Sequence, residues 1–242
     1  DTVMGLKLAQ GGHLTHGFGL NFSGTFYNSV QYSLNEKTGE IDYAELEKMA
    51  IEHKPKMIYS GATAYPRLID FKKIGAIAKK VGAYHVADVS HIAGLIAAGA
   101  HPSPFPYADV VMATTHKTMR GPRGAVIYAR TPRLAAAINK AIIPGVQGGP
   151  HNNQTAAIAL MFEFMQKPSF KKYGAQIVKN AKALAGELNA HGFQLVSGGT
   201  DNHLILIDLK NKQISGTDAE KLLDAAGLIA NRNTVPGDDK PF

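Results

Sequence analysis

The apolar positions of the chain follow two rhythms. Short apolar runs of strand length alternate with longer stretches in which apolar residues recur every three or four positions, which predicts an α/β sheet with crossover helices. SVQYSL (29–34) reads as a strand, and Asp42 with Glu45 as a capping box opening the helix DYAELEKMAIEH. KMIYSG (56–61) is a short buried strand, and Asp70 caps IDFKKIGAIAKKVG, which closes at Gly82. Strands follow at YHVAD (84–88), ADVVMA (108–113) and GAVIYAR (124–130), and Thr131-Pro132 restarts a helix with proline in its first turn. Beyond the loop PGVQGGPHN, a helical run covers about Gln154 to Gln166. Pro168 breaks it, and a longer amphipathic helix runs from about Ser169 to Ala190. FQLVS and HLILIDL predict two more strands, and Thr217 with Glu220 the cap of a last helix. A domain boundary is expected near residue 168, with a large sheet domain over 1–168 and the start of a smaller α/β domain over 169–242. No internal repeat or low-complexity tract interrupts this plan.

Composition narrows the classes. A chain of 242 residues with 45% hydrophobic content can bury a large core. Its apolar runs are short and broken by charges or glycines, so no membrane span is expected. DTVMGLKLAQ lacks the charged start and apolar centre of a secretory signal, and the chain does not begin with methionine. With no cysteine, disulfides, thiolate catalysis and cysteine zinc sites are excluded, and a cytoplasmic location is expected. The formal charge is +7, but the lysines are scattered along helices such as FKKIGAIAKK without interleaved aromatic residues. They read as solvated faces, and no nucleic-acid partner is expected.

Ligands of open α/β sheets bind beyond the carboxyl ends of the strands, so the residues following each strand carry the chemistry. KMIYS leads into Gly61-Ala62-Thr63, YHVA into Asp88-Val89-Ser90-His91, and VVMA into Thr114-Thr115-His116-Lys117. A hydroxyl, an acid with a histidine, and a lysine are thus delivered to one edge. Alone, Asp88 reads as a cap, His91 as structural and Lys117 as solvated. Together, Asp88 and Lys117 suit pyridoxal phosphate: the acid for a pyridinium N–H, the lysine for the aldehyde. Partial burial beside Arg120 and Arg123 would depress the Lys117 pKa by desolvation and like charge. GGHLTHG (11–17) offers His13 and His16, and the imidazole is better suited to stacking on a ring than to a metal, because no carboxylate lies nearby in sequence. QGGP (147–150) is either a backbone N–H nest for a phosphate or an ordinary tight turn.

GGHLTHG, GATAYPRLIDF, VADVSHIAGLIAAGAHPSPF, TTHKTMRGPRG, QGGPHNN and NRNTVPGD, in this order, resemble the serine hydroxymethyltransferase family. The resemblance implies the aspartate-aminotransferase type fold, with pyridoxal phosphate at the interface of a homodimer or tetramer. It implies interconversion of serine plus tetrahydrofolate with glycine plus methylene-tetrahydrofolate. By position, Lys117 would carry the cofactor as an aldimine, Asp88 would face the pyridine nitrogen, His91 the ring hydroxyl, and His13 the ring face. Thr63 stands where the family usually has serine. Thr114 and His116 would tune the reactive centre, Arg123 would support its anionic groups, and Gly148 and Gly149 would serve the phosphate of the neighbouring subunit. Leu8, Gly12, His13, Leu14 and Asn233 match folate-lining positions, and Pro241-Phe242 what remains of a folate-site loop. Family members extend past both ends, carrying a catalytic glutamate, tyrosines, a Ser-Gly phosphate cup and a carboxylate-binding arginine. The chain is therefore expected to be a piece of a longer protein and catalytically incomplete by itself.

Overall fold

The structure, a computed structural model, describes residues 1–238; the Pro241-Phe242 match lies outside the described residues. Six strands form the main sheet: β1 (Thr2–Leu6), β2 (Asn28–Tyr32), β3 (Met57–Ser60), β4 (Tyr84–Asp88), β5 (Val110–Thr114) and β6 (Ala125–Ala129), in the spatial order β2-β1-β3-β4-β5-β6. The first five are mutually parallel, and β6 returns antiparallel along β5, its Val126 opposite Ala113. The expected mostly parallel sheet is therefore present. Strand β1, not anticipated as an element, lies inside the sheet between β2 and β3, with Met4 and Leu6 fully buried.

Helices α1 (Phe22–Phe26), α2 (Tyr43–His53), α3 (Phe71–Val81) and α4 (Ala93–Ala97) join the parallel strands. Asp42 accepts hydrogen bonds from the Ala44 and Glu45 amides, satisfying donors that the first helical turn leaves open. The return half of the expected box does not form, because Glu45 instead pairs with Lys48 at 3.4 Å. Asp70 caps α3 through the Lys73 amide, and Gly82 ends it in the left-handed conformation. Phe71, Ile74, Ile77 and Ala78 repeat at helical spacing and pack into the core with Ile58, Ala87 and Val111 of the sheet.

After β6 come α5 (Pro132–Lys140), α6 (Asn152–Met165) and α7 (Pro168–Ala190). Thr131 caps α5 through the Leu134 amide, with Pro132 in its first turn. α7 packs on α4, where a Cβ on Gly174 would meet Ala98. FQLVS and HLILIDL form much less strand than expected: β7 (Gln194–Leu195) and β8 (Ile207–Asp208) are a two-residue antiparallel pair in a separate sheet. Ser197 of the first segment is bonded by the Arg67 side chain, and the Leu204 amide of the second is bonded by the Asn202 side chain. The last helix, α8 (Gly216–Ala225), is capped by Ser215 and Asp218, not by Thr217 and Glu220. Ser215 is the residue left in extended conformation before the first turn, while Glu220 pairs with Arg232 at 2.9 Å. Among the described residues no helix is long and apolar enough to cross a membrane.

Candidate active site

Strand order reverses around β1, which has β2 on one side and β3 on the other. Chains leaving the carboxyl ends of β1 and β3 therefore diverge and open a crevice, the usual ligand position in such sheets. The loop after β1 carries GGHLTHG, and the loop after β3 is tied to it: the Thr63 and Ala64 amides donate to the Gly11 carbonyl at 2.8 and 3.2 Å. Gly61, at φ 135°, passes so close to β4 that a Cβ there would collide with the Asp88 carbonyl. Only glycine allows that approach.

Asp88 closes β4 beside this crevice, its side chain 11% exposed. His16 Nε2 lies 3.0 Å from Asp88 Oδ2, and the Ser90 amide donates to Oδ1 at 3.0 Å. Burial pushes the Asp88 carboxyl up, but the His16 hydrogen bond and charge and the Ser90 hydrogen bonds outweigh it and hold the pKa at about 2. Since an ionised carboxylate only accepts, His16 Nε2 is the donor. The His16 ring is itself buried and stacks on Tyr59, with centroids 5.0 Å apart and planes 7° from parallel. The pair Gly-Gly-His-x-x-His thus divides: His16 goes inward to the acid, and His13 stays half-buried, its Nδ1 2.8 Å from Thr15 Oγ1. No carboxylate lies near these histidines in sequence, but one does in space. His13, His16 and Asp88 bring one donor atom each to within 4.8 Å of one another, because β1 and β4 end at the same sheet edge.

Lys117 follows β5 in a loop built from its neighbours. Thr115 is fully buried, donates from Oγ1 to the Pro122 carbonyl at 2.6 Å, and pairs its amide with the Gly124 carbonyl at 2.9 Å. Thr118 Oγ1 donates to the His91 carbonyl at 2.9 Å and accepts from the Gly94 amide at 3.0 Å, fastening the lysine loop to the turn after β4. Lys117 is partly buried, and desolvation lowers its pKa while the Asp88 charge raises it. The like-charge contribution expected from Arg120 and Arg123 is absent from these causes. Arg120 instead lies 4.6 Å over the Tyr173 ring, and Arg123 approaches His116 Nε2 at 3.5 Å.

The Lys117 charge acts on both His13 and His91. Burial, then Lys117 and His203, holds the His91 pKa down at about 4, so the ring is neutral at pH 7. Asp88, His91, Lys117 and His13 are thus brought together, with Thr63 alongside Asp88 and His91 in a small cavity. Three hydroxyl or imidazole atoms here, Thr63 Oγ1, Thr114 Oγ1 and His116 Nδ1, are buried without a hydrogen-bond partner. Such atoms are rare in native interiors, and they are free to bond a ligand.

Other expected residues lie apart. Gly148 and Gly149 are in an exposed loop, where a Cβ would meet nothing within 4 Å. Arg123 is exposed. Leu8 is half-buried, Gly12 buried and Leu14 45% exposed on the His13 loop, while Asn233 is exposed in the segment after α8. Sequence reasoning missed His16 as the partner of Asp88, although its H-x-x-H spacing was visible. It also missed Ser90 and Thr118, and His203, for which TDNHLIL carries no signal.

A family model described as serine hydroxymethyltransferase matches residues 1–242. A serine hydroxymethyltransferase from Desulfotalea psychrophila is 55% identical over 243 residues, covering all of this chain. The chain spans 57% of that relative's length. With the mostly parallel α/β sheet and this site at its carboxyl edge, the chain belongs to the serine hydroxymethyltransferase family.

Proposed function

We propose that the complete protein moves a hydroxymethyl group between serine and tetrahydrofolate, yielding glycine and methylene-tetrahydrofolate, with pyridoxal phosphate as cofactor. The observation that carries this reading is the meeting of the Lys117 amine, the ionised Asp88 and the neutral His91 at one sheet edge. The donor set fits the cofactor. Asp88 remains anionic and matches a ring N–H, neutral His91 can donate to a ring oxygen, the orphaned Thr63 hydroxyl shares their cavity, and half-buried His13 lies close to Asp88. The fit to a metal is poorer, because His16 spends its Nε2 as a donor to Asp88 and so cannot offer that nitrogen as a ligand.

When bound, pyridoxal phosphate supplies a protonated ring able to take up the electron pair left at the α-carbon of the amino acid. The protein's own residues prepare for this. Asp88 would hold a proton at that ring's nitrogen, because its carboxylate stays ionised near neutral pH. His16, packed flat on Tyr59, keeps that carboxylate oriented. Partial burial of Lys117 favours the uncharged amine, the form that attacks a carbonyl. Thr118 holds the lysine loop against the His91 turn and Thr115 braces that loop on the Pro122 carbonyl, so nucleophile and acid keep a fixed spacing.

A homodimer is part of the proposal. Leu20 (90% exposed), Phe22 (64%) and Phe26 (70%) form an apolar surface just beyond the His16 turn, and apolar patches of this kind are commonly covered by a partner. Gly148 and Gly149 would then serve the site of the second copy, and Leu8, Gly12, Leu14 and Asn233 the folate side. Residues 1–168 read as part of the large domain and 169–242 as the start of the small one, supported by the separate β7–β8 sheet. The test is to add pyridoxal phosphate to the complete protein, reduce with borohydride and map the modified residue, alongside a serine and tetrahydrofolate assay. Labelling of Lys117 with serine-dependent turnover is expected. Labelling elsewhere, or no turnover with serine, overturns the reading.

A further inference from the structure

The segment before β8 is fastened to the sheet domain by hydrogen bonds at Ser197, Thr200, Asp201 and Asn202. Asn202, 1% exposed, donates from Nδ2 to the Tyr65 carbonyl at 2.9 Å, and the Asp201 amide donates to the Pro66 carbonyl at 2.8 Å. Thr200 Oγ1 donates to that same carbonyl at 3.2 Å. Arg67 replies from the other side, its Nε donating to Ser197 Oγ at 3.0 Å and its Nη1 lying 3.4 Å from Asp201 Oδ1. Asn202 Oδ1 in turn accepts the Leu204 amide at 2.9 Å, so the backbone on both sides of His203 is fixed.

This clamp delivers His203 to the back of the active site. Its ring stacks on His91 with centroids 6.1 Å apart and planes 21° from parallel, and both rings line the small cavity that also contains Thr63 and Asp88. His203 Nδ1 is buried without a hydrogen-bond partner. A purely structural ring at this place would be better apolar, since a buried nitrogen left unpaired is destabilising. We propose that His203 is a positioning residue of the reaction, fixing the plane of the His91 ring and linking it to the C-terminal segment through the Asn202 and Arg67 clamp.

The inference rests on the proposed function and adds a residue to it. Thr118 engages the His91 main-chain carbonyl and leaves the ring unheld by that bond, while His203 stacks on the ring itself. Offset ring contacts of this length are attractive and directional. A ring free to turn would lose its alignment towards the space beside Asp88, and small misplacements near a reacting centre are costly in rate.

The test uses the complete protein loaded with pyridoxal phosphate and compares wild type, His203→Ala and His203→Phe. The readouts are the visible absorbance of attached cofactor across pH, cofactor affinity, and kcat and KM for serine measured separately. For His203→Ala, kcat should fall on the order of tenfold or more with KM for serine little changed, and the pH profile of the absorbance should shift. His203→Phe keeps a flat ring and should recover most of both. The inference is overturned if His203→Ala matches wild type in kcat and absorbance. It is equally overturned if His203→Phe is as impaired as His203→Ala. A wild-type protein that acquires no absorbance on adding the cofactor refutes the underlying function instead, so the two failures are distinguishable.

Discussion

The end of β4 and the QGGP loop are both parts of the site the sequence proposes, yet they are built in opposite ways. Asp88 is almost enclosed, with His16 and Ser90 on its two oxygens and Gly61 pressed against its backbone. Gly148 and Gly149 are exposed and have open space around them. The difference teaches how such a site is divided. The groups that set protonation are completed within one chain, where burial and fixed partners can shift a pKa. The QGGP loop faces outward, open to a second surface.

The strongest test of the first half is Lys117→Ala in the complete protein. It removes the amine proposed to hold the cofactor, and turnover should fall by on the order of 10³-fold or more, with loss of borohydride labelling at that position. Residual full turnover would break the comparison outright. Asp88→Asn comes next. It should lower kcat by on the order of 10²-fold or more while cofactor still binds, because a neutral amide does not hold a ring proton. The same substitution has a stability signature. The folded pKa of Asp88, about 2, lies below its ordinary value of 3.8, so its stabilisation is complete above about pH 4 and is lost as pH falls towards 2. Acid denaturation followed by circular dichroism should therefore show less pH dependence between those values in Asp88→Asn than in wild type.

Gly61→Ala and Gly148→Ala sharpen the contrast with a single methyl group at each place. At Gly61 the methyl meets the Asp88 carbonyl from a backbone at φ 135°. Strain of that kind costs about 1–3 kcal/mol before any displacement of Asp88 is counted, and urea unfolding should register it. Gly148→Ala should leave stability within about 0.5 kcal/mol of wild type, as its methyl meets nothing. A large loss at Gly148 in the isolated chain would mean that the loop is held within it after all.

Much of the fold is legible along the chain. Asp42, Asp70 and Thr131 all cap the helices predicted from them, and the strand runs ending at Ser60, Asp88 and Thr114 all form. The failures share a cause. FQLVS and HLILIDL have strand composition, but Ser197, Thr200, Asp201 and Asn202 take part in hydrogen bonds to the Tyr65–Arg67 turn, which only the folded chain supplies. The last helix starts at Ser215 and not at Thr217, since either residue can serve as a cap and the path of the preceding loop decides.

The candidate site divides along the same line. Which residues are available was readable: Lys117, Asp88, His91, His13 and Thr63 all follow strands, and a parallel sheet puts such residues on one edge. Their chemical states were not readable. Asp88 owes its low pKa to His16, 72 positions away in sequence, and His91 stacks on a ring from the C-terminal segment. Arg120 lies over the Tyr173 ring and Arg123 beside His116, and the Lys117 pKa is governed by burial and Asp88. The sequence by itself determined the elements, their order and the inventory of reactive groups, because periodicity and capping act over a few residues. Only the tertiary structure decided which of those groups are charged, oriented and paired, because desolvation and Coulomb interactions depend on distance in space and not along the chain.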